Sequence, residues 1–307
     1  MKTVVSKQNP TLKTARKLAE RKGRDKEGRF LAEGRKLICE ARLAGFAIET
    51  LFVDAGALAR EDAREYGKGA GRDNNFGIRA FATEIETEAG PDGVIALEES
   101  LYAELCKTRT PPPLLALMRR GAREGSGFAG HAADGVAHRA KDGAADGAYS
   151  VLILDRIADP GNAGTMVRTA LAAGMDAVWC VKGTAGLFSD KAIRASAGAV
   201  FHMPAAENLS AADCIEKAKG AGAKLVVLAA GGEDIYHAAL DGNRAFVVGS
   251  EAAGVDEAFA VAAAAVCGIP MSPHSESLNA AAAVAVALYE KARQDQARQE
   301  APCRKEK

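Results

Sequence analysis

The 307 residues read as an α/β protein in two parts, a small N-terminal α/β unit and a larger C-terminal domain on a mostly parallel sheet. Three features lead there. From residue 151 onward, apolar runs of four or five residues alternate with helical patterns, as buried parallel strands with both faces covered require. A looser version of the same alternation fills residues 10–110. Between the two lie Pro111, Pro112 and Pro113, which end any helix, and residues 121–150, where sixteen of thirty positions are Gly or Ala. That segment reads as a flexible linker or surface insertion. The expected boundaries are 1–118 for the first unit, 119–150 for the linker, 151–295 for the second domain and 296–307 for a polar tail.

In the first unit, Ala15, Leu18 and Ala19, and then Leu37, Ile38, Ala41 and Ala44, recur at helical spacing. Short strands are expected at residues 48–53, 78–81, 94–97 and 114–118. In the second domain, strands are expected at residues 151–154, 177–181, 224–228, 245–248 and 264–269. A helix is expected over 165–173, stopped by Gly174, with Asn162 as its N-cap. An Ala/Val-rich helix is expected to run to about Tyr289, capped by Ser277.

Composition narrows the classes. With 48% apolar residues, whole-chain disorder is excluded. The formal net charge is zero, but residues 1–45 carry a net +8 and residues 46–110 a net −6, so a polyanionic partner is compatible with the total. Arg21, Lys22, Arg24 and Lys26 are the candidate phosphate contacts in the basic end. Cys39, Cys106, Cys180, Cys214, Cys267 and Cys303 form no C-x-x-C pair and have no His at ligand spacing, so reduced thiols and no metal site are expected. The N-terminus has no apolar signal segment, and the longest apolar stretch is too short to span a bilayer. A cytoplasmic protein with no membrane partner is expected.

Ligands of parallel α/β sheets sit at the carboxyl ends of the strands. After Leu154 comes Asp159-Pro160-Gly161-Asn162, then Gly164 and Arg168, which lies six residues and nearly two helical turns beyond Asn162. Spacing alone leaves Arg168 open between a surface side chain and one that reaches the strand ends. After Val248 comes Gly249-Ser250-Glu251-Ala252-Ala253-Gly254, without the Lys and Ser/Thr of a phosphate loop. An ordinary turn and a ligand loop, with Glu251 paired to Arg168, both fit it. After Ile269 come Pro270-Met271 and Ser277-Leu278-Asn279; His274 between them reads as a bystander. A nicotinamide site would need G-x-G-x-x-G after the first strand, which is absent.

Together these three segments resemble the SpoU (TrmH) family of RNA ribose 2′-O-methyltransferases, within the SPOUT superfamily. N-x-G-x-x-x-R stands as Asn162, Gly164 and Arg168; G-x-E-x-x-G as Gly249, Glu251 and Gly254; I-P-M and S-L-N as Ile269-Pro270-Met271 and Ser277-Leu278-Asn279. Arg194, Ser196 and Gly198 are similar to the family's segment between the first two motifs. The resemblance covers about 151–290, and residues 6–117 more loosely resemble the family's N-terminal substrate-binding domain. Pro273 stands where the family often has Gly, and the linker is longer than usual.

The resemblance implies a C-terminal trefoil-knot methyltransferase domain, where the residues alone suggest an open, doubly wound sheet. It implies S-adenosylmethionine as cofactor with no metal, RNA as partner (ribosomal RNA in preference to transfer RNA, and no DNA), and a homodimer. It makes Arg168 the principal catalytic residue, with Asn162, Glu251, Ser277 and Asn279 around it. The cofactor positions it implies are Leu228, Ala229, Ala230, Gly249, Gly254, Ile269, Met271 and Leu278. The reading from another class, a non-catalytic RNA-binding or ribosome-associated protein on the same fold, would have lost Arg168, Glu251 or Asn279, and all three are present.

Overall fold

The computed structural model describes residues 2–4, 6–67, 77–90, 92–120, 149–250, 253–275 and 277–300. The expected linker therefore lies almost wholly outside the described residues. The chain divides into two compact units, residues 1–121 with 188–193, and the remainder.

The first unit runs β1 (Lys2–Val4), α1 (Pro10–Lys17), α2 (Arg21–Glu27), β2 (Arg29–Glu33), α3 (Arg35–Leu43), β3 (Ile48–Asp54), α4 (Ala55–Gly67), α5 (Ile78–Ala89), β4 (Val94–Leu97), α6 (Glu99–Leu105) and β5 (Leu114–Arg119). Its sheet has the order β1-β4-β3-β5-β2. Helix α1 starts at Pro10 because Asn9 caps it, its side-chain oxygen accepting from Thr11 N–H at 2.9 Å. Leu12, Ala15 and Leu18 then bury against Phe52, Tyr102 and Leu115.

Two expectations fail in this unit. Residues 78–81 begin helix α5 rather than a strand. Phe81, Ala82 and Ile85 are its buried face, so the helical period wins over the brief alternation at its start. Arg24 is buried and donates to the carbonyls of Leu18 at 2.9 Å and Ala19 at 3.1 Å. It closes the end of one helix against the next and is held away from the surface where a phosphate would bind, whereas Lys13, Lys22 and Lys26 are exposed.

After residue 149 come β6 (Ser150–Asp155), α7 (Pro160–Ala172), β7 (Ala177–Val181), α8 (Asp190–Ala195, whose first four residues group with the first unit), β8 (Ala205–Leu209), α9 (Ala211–Gly220), β9 (Lys224–Asp234), β10 (Arg244–Gly249), α10 (Glu257–Ala262), β11 (Ala265–Gly268) and α11 (Ala280–Glu300). The strand order is β11-β9-β10-β6-β7-β8, and all pairs are parallel. Strands β6 and β7 are buried along their whole length, which explains their unbroken apolar runs. Val151, Ile153, Trp179, Val227, Val247 and Phe259 build the core on one face.

This order differs from an open doubly wound sheet. There, β9 would lie beside β6; here β10 inserts between them, and the chain then passes β9 to place β11 at the edge. Strand β9 also carries a large irregularity. Val226 and Val227 pair with Ala265 and Val266, but Cys267 and Gly268 pair next with Glu233 and Asp234. Residues 228–232 are thus pushed out of the β11 ladder, and the backbones close up again at Gly232, where a Cβ would lie 2.6 Å from the Val266 carbonyl oxygen.

Helix α7 begins at Pro160, with Asp159 rather than Asn162 as its cap, the Asp159 carboxylate accepting from Gly161 N–H at 3.0 Å. Proline favours the first helical position, so the cap falls just before it. Helix α11 packs on α7 and runs to Glu300, so residues 296–300 of the expected tail continue the helix. Its far end is held by side chains that reach the β9–β10 connection. Gln294 accepts from Leu240 N–H at 2.8 Å and donates to the Ala238 carbonyl at 3.0 Å; Asp295 accepts from Gly242 N–H at 2.9 Å and pairs with the buried Lys291. Replacing Asp295 with Ala is expected to lower stability by about 1.5–3 kcal/mol, the range for a charged hydrogen-bond partner. Chemical denaturation of the full chain measures it.

Candidate functional site

The turned-out residues 228–230 of β9, the loop after β10 and the segment after β11 enclose a cavity of about 300 Å3. Its walls include Leu228, Ala229, Ala230, Gly249, Gly254, Ile269, Met271 and Leu278, so all eight positions singled out from the sequence meet in one place. Ser277 lines the same cavity. Sequence reasoning missed Val248, Ser250, Val255, Cys267, Ala280 and Ala283. The signal for Val248 was its place at the end of an apolar run.

The β9 irregularity supplies the first wall by turning residues 228–230 out of the β11 ladder. The β10 loop supplies the second. Gly254 N–H donates to the Ser250 carbonyl at 2.8 Å, and Ala253 N–H donates to the Ser250 hydroxyl at 3.1 Å, folding the loop back on its own strand. Gly249 makes this possible, since a Cβ there would lie 2.2 Å from the Gly254 carbonyl oxygen. Gly254 itself has φ +65°, a left-handed conformation. The third wall is the segment between β11 and α11.

The wall is weakly charged. Burial pushes the Cys267 thiol up to about 11, with the Glu233 carboxylate adding to the effect, so it stays protonated at neutral pH and serves as apolar surface. Polar groups gather at the helix starts instead. Asn279 precedes α11 and takes the capping place expected of Ser277, its side-chain oxygen accepting from Ala281 N–H at 2.9 Å. Its amide nitrogen donates to the Asn162 side-chain oxygen at 3.2 Å. That bond ties the first turn of α7 to the segment that carries Leu278.

Arg168 is exposed on α7, and its guanidinium forms no ion pair with another described residue. Glu251, its expected partner, lies outside the described residues. At the end of β6, Asp155 is fully buried and holds both Arg156 and the backbone of Asp256. Sequence reasoning gave it no role.

Residues 149–289 match the model of the SpoU rRNA Methylase family, and residues 9–116 match the MRM3-like substrate binding domain. The 23S rRNA (guanosine(2553)-2'-O)-methyltransferase RlmP of Bacillus subtilis is 30% identical over 94% of this chain and 98% of its own length. The chain belongs to the SpoU rRNA methylase family. Another member it resembles is the 23S rRNA (uridine(2479)-2'-O)-methyltransferase of Streptomyces viridochromogenes, 26% identical over 90% of this chain and 87% of that one. The crystal structure of an AdoMet-bound rRNA methyltransferase from Sinorhizobium meliloti superposes with a TM-score of 0.70 at 27% identity, over 95% of this chain and 97% of that chain. Both domains of this SpoU chain thus have counterparts in full-length relatives.

Because Gly249 has no room for a side chain, Gly249→Ala is expected to force the loop away from its strand. A loss of about 1–3 kcal/mol is expected, as for other overpacking changes. Thermal unfolding reads the loss, and faster amide exchange confined to residues 249–258 locates it.

Proposed function

We propose that this SpoU-family chain transfers a methyl group from S-adenosylmethionine to a ribose 2′-hydroxyl of RNA, and that the RNA is ribosomal. The observation that carries the reading is the convergence of the eight family-matched positions on one cavity beside the Asn162–Asn279 link. The cavity suits the cofactor. Its volume reaches the range of small-molecule sites. Leu228, Val248, Ile269 and Leu278 offer apolar surface for a flat ring, and Gly249 and Gly254 bare backbone groups for polar edges. When bound, S-adenosylmethionine supplies a methyl group already activated on a sulfonium.

The chain's task is then to align the hydroxyl and favour loss of its proton. A guanidinium is a poor general base because it stays protonated. Arg168 instead orients the ribose and stabilises negative charge developing on its 2′-oxygen. Asn162 and Asn279 hold the α7 side of the site against the cofactor side, and the family resemblance assigns Glu251 and Ser277 to the same catalytic set. Ribosomal RNA is favoured because the two methyltransferases of Bacillus subtilis and Streptomyces viridochromogenes act on 23S rRNA. The family resemblance supports a homodimer, and the absence of an apolar signal segment in the sequence supports a cytoplasmic location.

Mapping 2′-O-methyl groups in total RNA from cells with and without the gene tests this reading. Loss of a defined ribosomal position is expected. Loss in transfer RNA alone would overturn the substrate, and no loss in any RNA would overturn the activity. Arg168→Ala is expected to lower the rate of methyl transfer by about 10²–10³, the usual effect of removing one oxyanion donor. Its cofactor affinity by calorimetry should stay within a few fold; a matching loss of affinity would place Arg168 in the cofactor pocket.

The exposed Lys13, Lys22 and Lys26 are the revised phosphate contacts. Replacing all three with Ala is expected to flatten the log–log salt dependence of RNA binding by about 0.7–0.9 for each phosphate that is no longer neutralised. Parallel lines for wild type and variant would move the RNA surface elsewhere.

A further inference from the structure

We propose that Asp155 and Arg156 are a positioning pair that binds the cofactor-side loop to the acceptor-side loop, so that the cavity keeps the shape S-adenosylmethionine needs. The proposal rests on the reading of the cavity as the cofactor site. Asp155 is the last residue of β6 and is 0% exposed. A carboxylate buried that deeply is costly unless donors surround it. Three do: Arg156 Nε reaches Oδ1 at 3.0 Å, Arg156 Nη2 reaches Oδ2 at 3.0 Å, and Asp256 N–H reaches Oδ2 at 2.7 Å.

Each partner belongs to a different side of the site. Asp256 caps α10, its carboxylate accepting from Ala258 N–H at 3.0 Å, and it ends the loop whose Gly249, Ser250, Gly254 and Val255 line the cavity. Arg156 opens the other loop, which leads through Asp159 into α7 with Asn162 and Arg168. One carboxylate therefore sets the spacing of both loops where they leave neighbouring strands. The register of β10 on β6 puts Gly249 directly opposite Asp155.

The backbone argues the same way. Arg156 has φ 56°, a left-handed conformation costing a non-glycine residue about 1–2 kcal/mol. Glycine would take it without strain, yet an arginine stands there, with both guanidinium bonds on the carboxylate. Gly183 packs against the stem, and a Cβ there would lie 3.3 Å from Arg156 Cγ. Strain held in place by such contacts marks a position with a task beyond folding.

Arg156→Gly in the full chain separates the two, since it removes the guanidinium and relieves the backbone at once. The melting temperature should fall by no more than a few degrees, because relief of the backbone strain offsets part of the cost of leaving the Asp155 carboxylate with a single donor. In the cofactor-free protein, residues 249–258 should exchange their amide hydrogens about ten-fold faster, and S-adenosylmethionine should bind about ten-fold more weakly by calorimetry. Asp155→Asn should move both readouts in the same direction. Unchanged exchange and affinity in Arg156→Gly would overturn the proposal. A larger fall in melting temperature with faster exchange throughout would make the pair a folding element and overturn it as well. Wild-type protein that binds no S-adenosylmethionine would instead overturn the reading of the cavity, and the exchange data would still decide whether the pair holds the loop.

Discussion

Strand β10 is hydrogen-bonded on both sides, and the site depends on that placement. Its Val247 and Val248 sit level with Ile153 and Leu154 of β6 on one flank and with Val227 and Leu228 of β9 on the other. Strands β6 and β10 end side by side at Asp155 and Gly249, and β9 leaves both ladders from Leu228 at the same level, so the residues beyond open onto the same space. Gly249 and Asp155 become neighbours, and Leu228 begins the turned-out stretch of β9. Moving β10 by one position would bring none of these together.

The chemistry divides across that edge. The cavity side is made of aliphatic side chains, bare glycine backbone and a protonated Cys267, an environment that suits a flat, partly apolar ligand. Polar groups collect at the start of α7 and before α11, where Asn162 and Asn279 meet, on the side we propose for the acceptor ribose. Helix α11 joins the two, carrying Asn279 before its first turn and the Gln294 and Asp295 anchors near its last. A long helix pinned at both ends holds the segment between β11 and α11, and with it Met271 and Leu278, against the cavity.

Much of this was readable from the residues, for a physical reason. Strands buried on both faces have to be continuous apolar runs, so β6, β7 and β10 stand out in the sequence. The edge strand β8 does not, because it is half-exposed and holds Glu207 and Asn208, the latter at φ 66°. The order of β9, β10 and β11 was not readable, since three similar apolar runs do not say which neighbours they take. The site divides the same way. Motif residues such as Gly249 and Asn279 were found because their spacing is local. Asp155 escaped because its decisive bond reaches Asp256, 101 residues away. Arg24 misled because its charge shows in the sequence and its burial does not.

We infer that the cavity walled by β9 and by the segments after β10 and β11 holds S-adenosylmethionine next to Arg168. A crystal structure of the full chain with S-adenosylhomocysteine, the demethylated product, tests it most directly. One product molecule per chain is expected in the space between Leu228, Gly249, Ile269 and Leu278, with its sulfur facing the side of α7 that carries Arg168. Product bound away from these residues, or an unchanged cavity with no product under saturating conditions, would contradict it.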